Sequence, residues 1–363
     1  MQDTLDELAA HTLNAQQLAS LAIGIRRPGA PATVRCYGLA DLEQNVPAIP
    51  GSIYRIGSAT KMYTAAVVMR LVERGALRLE QTLGELLPGF PTHGHDITVE
   101  HLLTHTSGLP NYTALPEFAE KSRLDLTHQQ LGRIIAAPRP DFAPGERYEY
   151  SNSGYYLLGV ILELATGLPY YELMNRELFM PLGLRDTWYL DDYRVIRHRV
   201  RGYDNFQGLT VNTGHVSMMS PFAAGGLGAS PVDFIAFGAA LLDHRAVSAE
   251  SLLRMAMPGR LHDGSRTAYG YGMAIADLEG RRKWFHAGTI NGFRSLLALY
   301  PDDGTVIGVL SNSGHAAVEA IEAHAARIAF GLPPLAGPVV PPEAERPHAR
   351  PTGPDVYVLP HRR

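Results

Sequence analysis

Ser58 and Lys61 stand three residues apart in Gly57-Ser58-Ala59-Thr60-Lys61, between a strand-like run at 53–56 and a helical pattern at 62–74. A serine hydroxyl is a weak nucleophile until an adjacent base takes its proton. Residues at i and i+3 share a helix face, so the Lys61 amine can reach the Ser58 hydroxyl. The plain alternative makes Ser58 a helix cap. A capping box, however, would set Glu or Gln three residues on, and lysine stands there instead. Its charge opposes the helix macrodipole by about 0.3–1 kcal/mol. The apolar run Ala65-Ala66-Val67-Val68-Met69 behind it also withholds water. Both effects lower a lysine pKa, as a general base near neutral pH requires. Among 32 basic residues only Lys61, Lys121 and Lys283 are lysines. An arginine cannot give up its proton, so a lysine marks a place where arginine would not serve.

Two further groups of residues suit the same chemistry. In Tyr150-Ser151-Asn152, Asn152 or Ser153 can simply cap the helix that follows. The chemical alternative gives Tyr150 a proton-shuttle role and Asn152 a hydrogen bond to the acyl side of a substrate. With an ordinary pKa near ~10, tyrosine acts as a base only beside a cation such as Lys61. In His286-Ala287-Gly288-Thr289, His286 can be a sheet histidine and nothing more. Functionally, the strand presents His286 to a cleft and Gly288 lets substrate approach the backbone. The Thr289 and Ser58 N–H groups then form an oxyanion hole. His93, His95, His101 and His105 raise a metal site, and His101 and His105 have a zincin's spacing. The glutamate after the first histidine is missing, so helix and loop packing is expected and no metal is assigned. Gly228-Ala229-Ser230-Pro231-Val232 breaks the nucleophile-elbow pattern at its last position, against an α/β-hydrolase.

The elements that must hold these residues alternate in kind along the chain. A helix is expected at 4–19, then strands at 21–26 and 33–39 around Pro28-Gly29-Ala30-Pro31. Near the other end, residues 284–286 and 293–300 flank Asn291-Gly292, a strong hairpin signal. Pro301-Asp302-Asp303-Gly304 turns into a strand at 305–310, and a last helix covers 316–330 with Gly331 as its stop. Between lie helical patterns at 62–74, 154–165 and 170–180. The expected fold is α+β: a five-stranded antiparallel sheet assembled from both termini, with terminal helices on one face and a mostly helical insertion on the other. One domain at 1–335 is expected, its α/β part near 1–75 and 250–335 and its helical part near 76–249. A proline-rich tail follows at 336–363.

Composition bounds the function. The chain has 363 residues, 45% hydrophobic, long enough for one large core. A net charge of -4 offers no basic footprint for nucleic acid. Cys36 is the only cysteine, which excludes an intrachain disulfide and suits a buried strand position. The first residues lack a signal peptide's basic and apolar regions, and no apolar run reaches the ~20 residues of a membrane span. As given, the chain is expected to be cytoplasmic, or periplasmic or secreted if a leader has been removed. Oligomeric state is not legible.

The three motifs, in this order, resemble those of the serine β-lactamase and penicillin-binding protein superfamily. Tyr150-x-Asn152 resembles its class C-like branch, the peptidase S12-like group of D,D-carboxypeptidases, D-aminopeptidases and esterases. The stretches 97–110 (ITVEHLLTHTSGLP), 150–159 (YSNSGYYLLG), 225–227 and 269–272 (YGYG) resemble that branch too, and the likeness spans about 1–335. It implies a serine hydrolase that forms an acyl-serine on small or short-peptide esters or amides. Ser58, Lys61, Tyr150 and His286 would be catalytic, with Asn152, Gly288 and Thr289 binding substrate and no cofactor needed. His286 stands where typical β-lactamases carry lysine, which implies an esterase, amidase or peptidase with at most weak β-lactamase activity. The alternative is a penicillin-binding protein or sensor that is acylated but turns over slowly.

Overall fold

The computed structural model describes residues 2–333; the proline-rich segment expected as a tail lies outside the described residues. Seven strands form one antiparallel sheet: β1 (Ser20–Arg26), β2 (Thr33–Asp41), β3 (Val46–Pro47), β4 (Ala274–Leu278), β5 (Arg281–Ile290), β6 (Phe293–Tyr300) and β7 (Thr305–Ser311). Their spatial order is β3-β2-β1-β7-β6-β5-β4. The five expected strands are its continuous centre, and β3 and β4 extend it at the two edges. The pairing of β1 with β7, from Leu21↔Ser311 to Arg26↔Val306, joins the two ends of the chain.

Period-two alternation puts side chains on both faces, and both faces are covered. Leu21, Ile23, Leu296, Ala298, Ile307 and Val309 pack with Leu5 and Ala9 of α1 (Gln2–Gln16) and with Val318 and Ile321 of the C-terminal helix Val318–Phe330. Ala22, Leu297, Leu299, Val306 and Leu310 face the larger core, which runs into the helical part. There the chain forms α2 (Thr60–Glu73), α3 (Asn152–Thr166) and α4 (Pro231–Leu242), and the C-terminal helix becomes α5. Helix α4 has Pro231 in its first turn and Ser230 as its cap, accepting the Asp233 N–H. It lies against β1, β6 and β7.

The middle of the chain is mostly helical with short strands among its helices. Tyr54–Arg55, Thr187–Tyr189 and Leu227–Ala229 form a small three-stranded sheet, and Tyr203–Phe206 pairs with Leu209–Asn212. The helix expected at 170–180 is interrupted: Tyr170–Met174 passes into a π turn at Asn175–Phe179 before Met180–Leu182. The Met180 N–H reaches back to the Asn175 carbonyl, and Pro181, whose ring would crowd the Glu177 carbonyl of a regular α turn, follows directly. No single helix among the described residues is long and apolar enough to cross a membrane.

Candidate active site

Ser58 occupies one 3-10 turn, Gly57–Ala59, that runs directly into α2. Neither helix start is capped by a side chain. The Ser58 hydroxyl is therefore not spent as a cap. It lies 3.2 Å from Lys61 Nζ.

Lys61 is fully buried. Its Nζ donates to Asn152 Oδ1 and to the Ala224 carbonyl, each at 2.8 Å. Both are pure acceptors. A neutral amine has two N–H donors and one lone pair, so once those bonds are made the lone pair is left for the Ser58 O–H. The protonated amine would have three donors for the same three oxygens. Both proton states are satisfied without rearrangement. Burial drives the Lys61 pKa far below the ordinary lysine value, and among the described residues no carboxylate pairs with it. Burial thus favours the uncharged amine, and its nitrogen faces the serine hydroxyl.

Tyr150 precedes α3, whose first residue is Asn152. Lys61 Nζ sits 4.9 Å from the Tyr150 ring centre. Burial pushes the Tyr150 pKa above its usual value, while a hydrogen bond with Ser58 pulls the other way. The phenol is therefore neutral at rest. Asn152 is held by the Asn111 carboxamide, which accepts its backbone N–H at 3.1 Å, and its Nδ2 donates to Thr113 Oγ1 at 3.2 Å.

His286 is buried and does not line the cavity in front of Ser58. Its Nδ1 lies 2.6 Å from the Ala287 carbonyl, an acceptor only, so Nδ1 carries the proton. Nε2 then accepts from the Tyr269 hydroxyl at 2.9 Å. Burial, reinforced by the charge of Lys61, lowers the His286 pKa to about 3. This histidine is neutral at physiological pH. It meets the site through its neighbours, whereas the strand position had suggested a ring open to the cleft. Gly288 also serves a different contact. A Cβ there would stand 1.9 Å from the Ile56 carbonyl, so the missing side chain admits the turn before Ser58 rather than a substrate. On the other side, a Cβ on Gly57 would stand 3.0 Å from the Thr289 nitrogen. The backbone of β5 thus passes directly against the turn that carries the serine.

Ser58, Asn152 and Thr289 share the wall of a cavity of about 330 Å³, with Tyr112, Phe118 and Ile290 among its other walls. None of its lining residues is charged. Lys61 lies beneath it.

His105 belongs to this site although its spacing had suggested only packing. Its backbone takes φ of +58°, a sparsely populated conformation for a residue with a side chain. Its carbonyl accepts the Glu149 N–H at 2.9 Å and its Nδ1 accepts the Ser151 N–H at 3.2 Å. The residues on either side of Tyr150 are thereby fixed to one histidine, whose ring lies 4.3 Å from the Tyr150 ring. Burial, then repulsion from Lys61 and His286 in their protonated forms, pushes the His105 pKa well down. Tyr269, in the family-like stretch 269–272, also belongs here: its ring lies 4.6 Å from that of His105 and its hydroxyl meets His286. The contacts of both span tens of residues, which no local pattern reveals. His93 is exposed and the Nδ1 of His101 accepts the Thr98 N–H; among the described residues no group of histidine, cysteine and carboxylate side chains converges to hold a metal.

A sheet closed by both chain ends, a helical cover, and a serine–lysine pair where the two meet define a serine hydrolase of the penicillin-recognising type. The chain belongs to the Beta-lactamase family, whose pattern matches residues 5–331. It is 32% identical over 282 residues to penicillin-binding protein 4 of Amycolatopsis lactamdurans, covering 72% of this chain and 73% of that protein. The D-amino acid amidase of Ochrobactrum anthropi SV3 is similar in structure, with a TM-score of 0.75 and 26% identity over 86% of this chain and 91% of that one. So is a D-stereospecific amidohydrolase from Streptomyces sp., at TM-score 0.75 and 26% identity, covering 89% and 97%.

Proposed function

We propose that the protein hydrolyses esters or amides through an acyl intermediate on Ser58, with Lys61 as its base. The observation that carries this is the saturation of Lys61: two acceptors hold its N–H groups and the remaining position faces the serine. Ser58 Oγ adds to the substrate carbonyl carbon while its proton passes to Lys61 Nζ. The Ser58 and Thr289 N–H groups stabilise the oxyanion. When the tetrahedral intermediate collapses, the C–N or C–O bond breaks and Tyr150 gives its proton to the leaving atom. Lys61 then returns a proton to Tyr150. Water adds to the acyl-serine with the same groups as base, which releases the acid and restores the Ser58 hydroxyl. Asn152 keeps Lys61 aimed, and His286 acts through Tyr269 as a positioning residue. The uncharged, partly aromatic cavity favours a neutral acyl group over one bearing a free ammonium. Such substrates are esters and N-blocked amides, whereas amino-acid amides of the kind named for the similar amidase carry a free ammonium and should be poorer.

A second reading has one observation in its favour. No Asp or Glu lines the cavity to activate the deacylating water, which suits a protein acylated by β-lactams that turns over slowly. One experiment separates the two. Intact protein is weighed during incubation with p-nitrophenyl esters, D-amino-acid amides and penicillins. Transient acyl mass on wild type, with steady product and neither on a folded Ser58→Ala, is the expected result. Persistent acyl mass without product supports the second reading. Turnover by folded Ser58→Ala near the wild-type rate sinks both.

A further inference from the structure

Beside the catalytic cavity lies a second one of about 340 Å³, lined by Arg55, Arg199, Arg201, Asn212, Thr213 and His215 among others. The two are neighbours: Asn291, on the catalytic wall, donates its Nδ2 to the Gly214 carbonyl at 2.9 Å, and Gly214 lines the second cavity. Two of the three arginines are compensated. Arg199 pairs with Asp192 at 3.3 Å and donates to the Asp191 carbonyl at 3.0 Å. Arg201 pairs with Glu43, which also accepts from Asn212 Nδ2 at 2.6 Å.

Arg55 is different. It follows Tyr54 in a two-residue strand, three residues before Ser58, and among the described residues its side chain has neither an ion pair nor a hydrogen bond. Its guanidinium lies 5.7 Å from the Phe293 ring centre. Burial and the like charge of Arg199, partly offset by Asp192, lower its pKa to about 10. It therefore stays charged at neutral pH, at a cost. Thr213 adds a buried hydroxyl without a hydrogen-bond partner. An arginine that is half-buried, beside a second arginine and against an open cavity leaves donors unspent, and a planar guanidinium offers them in the fork that suits carboxylate or phosphate oxygens.

We propose that this arginine-lined cavity is a binding site for a small anion, a carboxylate or phosphate group, with Arg55 as its principal ligand. The site is distinct from the acylation machinery and does not depend on the hydrolase reading. Its size admits a group of several heavy atoms rather than a whole cofactor.

Titration calorimetry of the full chain with succinate and with inorganic phosphate, at 0.15 M salt to suppress loose surface binding, tests it. The expected result is saturable one-to-one binding of at least one anion, and the tighter of the two identifies the group. Arg55→Gln weakens it at least tenfold, whereas Asn152→Ala, on the catalytic wall, leaves it within twofold. A second measurement needs no variant: phenylglyoxal modification of Arg55, followed by peptide mass mapping, slows several-fold when the anion is present. The proposal is overturned if neither anion saturates, if folded Arg55→Gln binds as wild type does, or if the anion leaves Arg55 modification unchanged.

Discussion

Two of the three lysines are buried, and each stands where an arginine would fail for a different reason. Lys121 is the exposed exception, paired with Glu117 one helical turn away at 2.6 Å. The proposed mechanism needs Lys61 to shed its proton, and Lys283 must fit against the fully buried Glu322. Lys61→Arg keeps a cation near Ser58 but removes the lone pair, so kcat/KM on a p-nitrophenyl ester at neutral pH should fall by about 10²–10⁴, the range typical of a lost general base. Activity near wild type would leave Lys61 a purely structural role. The same chemistry sets the pH profile. Below the folded pKa of Lys61 the amine is protonated and kcat/KM drops tenfold per unit. Because burial lowers that pKa from the ordinary lysine range, the drop begins well below pH 10. His286, with a pKa of about 3, is neutral near physiological pH. His286→Gln should therefore lower the rate while leaving the limb where it is. A limb that vanishes in this variant would make His286 the titrating group instead.

At the scale of elements, the site depends on β5 crossing the turn before Ser58 at almost no distance. Gly288→Ala would drive a methyl group into the Ile56 carbonyl. The expected cost is about 2 kcal/mol or more by urea unfolding, in the upper part of the overpacking range, with a larger loss of acylation than of stability. An unchanged unfolding midpoint would mean that the strand shifts freely. The strands here were legible because both signals they need are local. Residues 293–300 carry apolar side chains for two buried faces, and Asn291-Gly292 closes the hairpin with Gly292 at φ +72°. β3 and β4 were not legible: one has two residues, and the other, Ala-Ile-Ala-Asp-Leu, lacks bulky β-branched alternation. Ser58–Lys61 was readable from spacing, since one helical turn brings the pair together. The clasp of His105 on both sides of Tyr150 was not. It joins residues more than forty positions apart, and the strained φ of His105 has no signature in residue type.

Across the whole molecule, the serine comes from the first sixth of the chain and Thr289 from its last quarter. The site therefore exists only when the two ends of the chain pair as β1 with β7. α5 is docked onto that sheet by more than apolar contact: Glu322, fully buried, pairs with Lys283 of β5 and accepts the Tyr300 hydroxyl of β6 at 2.7 Å. One helix residue thus ties together the strand of Thr289 and its neighbour. Burying two charges is costly even when they meet, but removing only one partner costs more, because the other charge is left uncompensated. Lys283→Met should lower stability by about 3–5 kcal/mol, read as a shift of the urea midpoint at pH 7. The double variant Lys283→Met/Glu322→Met replaces the pair with apolar side chains of similar length and should recover most of that loss, since what destabilises the single variant is the stranded carboxylate. Acylation of Ser58 in the double variant should match wild type, because the pair lies on the opposite face of the sheet from the cavity. If the single change costs less than about 1 kcal/mol, or the double is no more stable than the single, the pair does not hold α5 in place and apolar contact with Leu296, Ala298 and Ile307 alone carries the closure of the chain ends.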